Sequence, residues 1–276
     1  MIWKINNHDL HLTRKARIMG ILNVTPDSFS DGGNFARVES ALAQAGRMIA
    51  EGATIIDVGG ESTRPGSQPV DQEVEIRRAI PVIKAIRAEW SGLISIDTMK
   101  APVAEAALAA GADIINDVSG LTHDPEMINL CVESHCGIVV MHMLGTPANM
   151  QNAPLYSDVT AHLRGFFQER LDCLVAAGIQ KERICFDPGI GFGKTLDHNL
   201  AILKNIAHLS PIGSPLLLGV SRKSLISKII DCESPTERDA ATLAMTTLAR
   251  RSGVMLHRVH AVKENLHALR ITEALI

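Results

Sequence analysis

Eight times along this chain of 276 residues a short apolar run gives way, at or next to a polar side chain, to a polar or glycine-rich loop. The pattern is plainest at residues 183–195, Arg-Ile-Cys-Phe-Asp-Pro-Gly-Ile-Gly-Phe-Gly-Lys-Thr. Ile184, Cys185 and Phe186 form a short apolar run of the kind that fills a buried strand, and Asp187 stands at its end. The glycines that follow fit neither common phosphate-binding fingerprint. Counting back from Gly193-Lys194 puts Pro188 where a P-loop needs its first glycine, and G-x-G-x-x-G begun at Gly189 needs a glycine at Lys194. What remains is a strand ending in a carboxylate, followed by a loop able to approach a ligand closely.

The other runs repeat this design. Residues 18–22 end at Asn23 and lead into the polar loop 25–33; residues 55–58 carry Asp57 and lead into the loop 59–66, Gly-Gly-Glu-Ser-Thr-Arg-Pro-Gly. Residues 93–96 end at Asp97, 114–115 at Asn116 and 138–141 at His142. Residues 216–220 meet Ser221-Arg222-Lys223-Ser224, and 255–259 bring Arg258 and His260. Helical spacing separates most of them. Leu42, Ala45, Met48 and Ile49 form a stripe stopped by Gly52, and helices are predicted over 74–90, 102–110, 156–177 and 240–251. Gly111-Ala112-Asp113-Ile114-Ile115-Asn116 also echoes Gly52-Ala53-Thr54-Ile55-Ile56-Asp57, a short signal of repeated βα units.

Eight such units, with no Pro/Ser-rich linker, predict an α/β chain folded as one (β/α)8 barrel over residues 1–276. A doubly wound open sheet is the alternative, and it needs a glycine fingerprint that the chain lacks. In a parallel barrel the C-terminal strand ends converge on one mouth. Any one of Asn23, Asp57, Asp97, Asn116 and Asp187 could be a helix cap. Caps do not call for His142, Lys223, Arg258 or His260, so the eight ends together point to a ligand site. Asp97, Asn116 and Asp187 suit a heterocycle with a fused amino-amide edge. Asn23, Arg258 and His260, on the first and last strands, suit a phosphate with a divalent ion.

A formal charge of −3 speaks against a nucleic-acid or membrane surface, and no apolar run reaches the length of a membrane span. Five cysteines without a CxxC pair, and an N-terminal stretch without a signal-peptide core, predict a cytoplasmic protein with reduced thiols. Neither His135-Cys136 nor His142 has a zinc spacing.

The motifs MGILNVTPDSFSDGG (19–33), DVGGESTRPG (57–66), SIDT (95–98), INDVSG (115–120), MHMLGTP (141–147), DPGIGFGK (187–194), SRKS (221–224) and RVH (258–260) together resemble the dihydropteroate synthases, in order and over nearly the whole chain. That resemblance implies condensation of 6-hydroxymethyl-7,8-dihydropterin diphosphate with para-aminobenzoate, giving 7,8-dihydropteroate and diphosphate in folate synthesis. It implies that Asp97, Asn116, Asp187 and Lys223 hold the pterin. Asn23 would help hold Mg²⁺ and the diphosphate, with Thr63, Arg258 and His260 on the same phosphates. Thr63, Arg64, Pro65 and Ser221 would meet the aminobenzoate, with Asp97, Lys223 and Arg258 closest to the chemistry. It further implies mobile 25–33 and 59–66 loops, a homodimer, and competition by sulfonamides as aminobenzoate mimics. Leu144 and Ala261 depart from the family pattern without removing any of these contacts. Two rivals remain. Pterin-dependent methyltransferases share the pterin-holding residues but have no use for Arg258, His260 or the Ser-Thr-Arg-Pro-Gly loop, and a silent barrel predicts losses in the ring that are not found.

Overall fold

The structure, a computed structural model, describes residues 1–25 and 34–276. The chain begins with a hairpin, β1 (Ile2–Ile5) and β2 (His8–His11). Strands and helices then alternate: β3 (Arg17–Asn23), α1 (Asn34–Ala50), β4 (Ile55–Gly59), α2 (Gln72–Glu89), β5 (Leu93–Asp97), α3 (Ala101–Ala109) and β6 (Ile114–Asp117). They continue as α4 (Glu126–Ser134), β7 (Gly137–Met141), α5 (Val159–Ala176), β8 (Ile184–Asp187), α6 (Leu196–Lys204) and β9 (Leu217–Leu218). The chain closes with α7 (Ser224–Ile230), α8 (Asp239–Arg251), β10 (Leu256–Val259) and α9 (Val262–Ala274).

β3 to β10 form one parallel sheet in the order β8-β7-β6-β5-β4-β3-β10-β9. A parallel bridge between Phe186 and Leu216, with Phe186 N–H donating to Pro215 O at 2.9 Å, joins the two ends and closes the barrel. The predicted strands are in place. The echoed segments share one geometry: Gly52 and Gly111 take φ of 99° and 107° after their helices, a conformation that a side chain would strain. The amides of Ala53 and Ala112 then bond back to Met48 O and Ala107 O before β4 and β6 begin.

Side chains alternate along each strand, and this divides the core in two. Outward residues such as Ile56, Ile94, Ile138 and Phe186 pack under the helices. Inward residues Met19, Ile55, Leu93, Ile114, Val139, Cys185, Leu217 and Leu256 fill the barrel floor with Trp3, Ile5 and Leu12. The hairpin, absent from the sequence reading, is therefore a plug. Trp3 is fully buried, and its indole Nε1–H donates to Arg183 O at 2.8 Å. Asp71 and Asp158 cap α2 and α5 with side-chain acceptors. Among the described residues no helix is long and apolar enough to cross a membrane.

Candidate active site

Two residues above the barrel floor, the inward positions become Asp57, Ser95, Asn116, Met141, Asp187, Gly219 and Arg258; the next layer includes Asn23, Gly59, Asp97 and His260. One period-two rule thus brings most of the predicted strand-end residues to a common mouth. His142 is the exception. It has the outward parity of Ile138 and Val140, is 2% exposed, and sits behind the strands rather than at the mouth. Its Nε2 lies 3.1 Å from His162 Nε2 and its ring meets Phe166 edge-on at 4.9 Å. Burial holds its imidazole neutral, down to about 2.

Arg258 organises the centre. Its Nε donates to Asp57 Oδ2 at 2.6 Å and its Nη2 to Asp97 Oδ2 at 2.7 Å. Asp57, with no exposed surface, also accepts the amide nitrogen of Asn116 at 3.2 Å. With that nitrogen committed, Asn116 presents its carbonyl oxygen as an acceptor. The other Asp97 oxygen, Oδ1, is buried without a partner among the described residues. Asp187 accepts Gly189 N–H through Oδ1 at 2.7 Å. Two inward glycines keep this region open. A Cβ on Gly59 would stand 3.5 Å from Asn23 Oδ1 and 3.7 Å from Asp97 Cβ, and one on Gly219 would stand 3.7 Å from Asp187 Oδ2.

Lys223 reaches across the mouth, donating to Ile190 O and lying 4.6 Å above the Phe192 ring. Burial lowers its ammonium to about 8, with Asp187 acting the other way. Asp97 and Asp187 are both raised by burial; Arg258 draws the first back and Lys223 the second. The mouth is therefore a set of buried acceptors balanced by two cations, arranged to bind a flat, N–H-rich ring.

Ser221 and His260 form the adjoining edge. Ser221 Oγ accepts His260 N–H at 3.2 Å and lies 2.9 Å from His260 Nδ1. Burial, then the charges of Arg222 and Arg258, lower His260 to about 3. It is a neutral imidazole at pH 7 and can offer a hydrogen bond. Arg64 also contributes to that lowering, which puts its charge on the same side of the mouth. Thr63 is half-buried, while Arg64 and Pro65 are exposed. Gly66 N–H reaches Pro147 O at 3.0 Å in the loop after β7. The expected 25–33 loop falls, from residue 26 onward, outside the described residues.

The sequence pattern points to no role for Lys194, and to none for Asp57 beyond its place in the ring. Lys194 is 3% exposed, and its Nζ contacts His142 Nδ1, His142 O, Gly189 O and Phe192 O between 2.9 and 3.2 Å. It holds the turn that carries Ile190 and Phe192, the two contacts of Lys223. The signal was a lysine closing a glycine-rich turn, between Gly193 and Thr195. Of the two departures from the family pattern, Leu144 packs beneath Gly193, where a Cβ would come within 2.7 Å of Leu144 Cβ. Ala261 sits at the start of α9, its carbonyl accepting Asn265 Nδ2 at 2.7 Å.

Comparison with known proteins agrees with this geometry. Residues 19–260 match the pterin binding enzyme family. A dihydropteroate synthase from Synechocystis is 44% identical over 262 residues, covering 95% of this chain and 91% of the relative. The Yersinia pestis dihydropteroate synthase, solved as a sulfonamide drug complex, superposes with a TM-score of 0.93 at 41% identity, covering 100% of this chain and 99% of that one. The Xanthomonas albilineans dihydropteroate synthase with 4-aminobenzoic acid gives 0.92 at 42% identity, covering 100% and 98%. By its family match over residues 19–260, by 44% identity across 95% of its length and by these superpositions, the chain belongs to the dihydropteroate synthase family of pterin-binding enzymes.

Proposed function

We propose that the mouth condenses 6-hydroxymethyl-7,8-dihydropterin diphosphate with para-aminobenzoate, releasing 7,8-dihydropteroate and diphosphate. The observation that carries this reading is the acceptor cluster of Asp97, Asn116 and Asp187, with Asp97 Oδ1 buried and unpartnered beside Arg258. Such an oxygen is costly unless a ligand N–H meets it. The sulfonamide and 4-aminobenzoic acid complexes of the Yersinia and Xanthomonas enzymes support the second substrate and its competitors.

In this reading Asp97, Asn116, Asp187 and Lys223 hold the pterin, and Asn23, Thr63, Arg258 and His260 face its diphosphate. Thr63, Arg64, Pro65 and Ser221 frame the aminobenzoate. The leaving diphosphate departs from a methylene whose positive charge spreads into an electron-rich ring. Asp97 and Asp187 stabilise that charge electrostatically. The aromatic amine is already a free base at neutral pH, so positioning replaces an activated nucleophile. Among the described residues no group of three or more His, Cys, Asp or Glu side chains could hold a metal, and Asn23 offers a single amide oxygen. That donor set fits a Mg²⁺ held largely by diphosphate and water, with Asn23 as its protein ligand. Bound there, the ion would offset charge on the leaving group.

Residues 1–276 act as one domain in this reading. Five free thiols support a cytoplasmic location. Exposed Ile229, Ile230 and Leu248 on α7 and α8 supply apolar surface for a homodimer. The test is diphosphate release with Mg²⁺ and the pterin diphosphate, with and without para-aminobenzoate. Release that needs aminobenzoate, with equal dihydropteroate formed, supports the reading; tight pterin binding without turnover overturns it.

A further inference from the structure

The loop joining β4 to α2 leaves the barrel at Gly59 and returns at Val70, and one carboxylate ties its two ends together. Glu61 Oε1 accepts Val70 N–H at 3.0 Å, closing the intervening residues into a loop on a narrow neck. The other Glu61 oxygen, Oε2, pairs with Lys100, which also pairs with Glu75 Oε2 at 2.6 Å. Glu75 has no exposed surface, and Glu61 and Lys100 are only 11% and 16% exposed in their side chains. Ionic pairs so shielded from solvent hold more firmly than surface ones.

The neck is tight on its other side as well. Arg78 Nη1 donates to Gly60 O at 3.0 Å, and a Cβ on Gly60 would come within 3.0 Å of both Glu75 Cγ and Glu75 O. Residues 62–69 thus hang from a fixed base formed by α2 and by Lys100. Lys100 stands three residues after Asp97, and its own amide donates to Thr98 Oγ1 at 3.3 Å. The same residue that anchors the loop through its side chain is therefore held through its backbone to the turn that follows Asp97.

We propose that Glu61, Lys100 and Glu75 are positioning residues for the second substrate: they set the base from which Thr63, Arg64 and Pro65 are presented to the mouth. None of the three needs to touch a substrate. The proposal rests on the reading of those loop residues given under the proposed function. Loosening the neck raises the entropy lost when the loop is ordered over aminobenzoate, and leaves the pterin contacts deeper in the barrel alone.

The test uses Glu61→Ala and Glu61→Gln, since either change leaves Lys100 paired with Glu75 and the barrel intact. Each variant is assayed with one substrate varied at a time, and hydrogen exchange is followed in residues 62–70. For Glu61→Ala the aminobenzoate KM rises about tenfold while the pterin diphosphate KM stays within about twofold. Exchange in 62–70 rises in the same variant. Glu61→Gln retains an oxygen for Val70 N–H and falls between Glu61→Ala and the unaltered protein. An unchanged exchange pattern, or equal rises in both KM values, overturns the proposal. If the unaltered protein forms no dihydropteroate, the reaction assignment fails, and calorimetric binding of aminobenzoate to the variants takes the place of KM. Unchanged aminobenzoate binding in a loosened loop then overturns the positioning role.

Discussion

Arg258 Nη2 and Asp97 Oδ2 meet at 2.7 Å although 161 residues separate them in the chain. The contact uses one carboxylate oxygen and leaves the other, Oδ1, buried and without a partner among the described residues. Asp97 is thus half counter-ion and half ligand acceptor. Asp97→Asn keeps the shape but loses the charge that favours a cationic ring. Turnover falls at least about a hundredfold, while the near-ultraviolet circular dichroism stays native. Unaltered turnover would remove Asp97 from the chemistry.

Arg258→Ala leaves Asp57 and Asp97 facing each other without their shared cation. Breaking a buried pair in this way costs about 3–5 kcal/mol. A second change, Asp57→Asn, relieves part of that loss, so the double variant unfolds at higher urea than Arg258→Ala alone. Strict additivity of the two losses would show that the carboxylates do not sense each other through Arg258.

The pH profile should carry the signature of Lys223. Its charge is present below about 8 and is lost above it. In kcat/KM an alkaline limb therefore begins near that pH. Lys223→Arg cannot deprotonate there, so the limb moves beyond the measurable range even if turnover drops. On the acid side, burial raises both Asp97 and Asp187, so activity begins to fall above the ordinary carboxylate range as pH decreases. Removing Arg258 takes away the charge that draws Asp97 back, and shifts this limb upward.

Lys194→Met strips three carbonyl oxygens and an imidazole nitrogen of a buried donor. Each orphaned acceptor costs about 1–3 kcal/mol. We expect a marked drop in the thermal midpoint, with weakened pterin binding in whatever protein remains folded. A variant of normal stability would mean that the 189–193 turn holds its shape by backbone geometry alone.

Trp3→Ala acts at the opposite end of the barrel. It removes a fully buried indole from the floor and costs about 3–5 kcal/mol by urea titration. At 20 °C its kcat stays within about twofold of the unaltered enzyme, because the floor carries packing and the mouth carries chemistry. A large loss in kcat at unchanged stability would contradict that division.

Asn23, Asp57, Asp97, Asn116, Asp187, Arg258 and His260 were legible from sequence because strand alternation and barrel closure place them together without any knowledge of rotamers. His142 was misplaced by one residue of register, enough to turn a side chain from the mouth to the back of the sheet. The lowered pKa of His260 was not legible, because desolvation and neighbouring arginines cannot be read along one chain. Asp57 was seen as a strand end, but its work is to hold other side chains. The Glu61–Lys100–Glu75 cluster joins three separate segments and has no local signal. The hairpin of residues 2–11 was missed because a two-stranded plug is too short to show periodicity, and only the barrel floor explains why Trp3 is there.

That plug also has a bearing on how the chain is made. Trp3 is made well before its partner, for the carbonyl that receives its indole belongs to Arg183, 180 residues later. At about 5–20 residues per second the interval is roughly 10–40 s. Throughout it Trp3 and Ile5 have no floor to cover, and β3 waits still longer for β10, its closing neighbour. The hairpin is made before the floor it covers and is among the last elements to find its place. Until then the apolar face of the hairpin, with Trp3 and Ile5, stays open to solvent and to other chains.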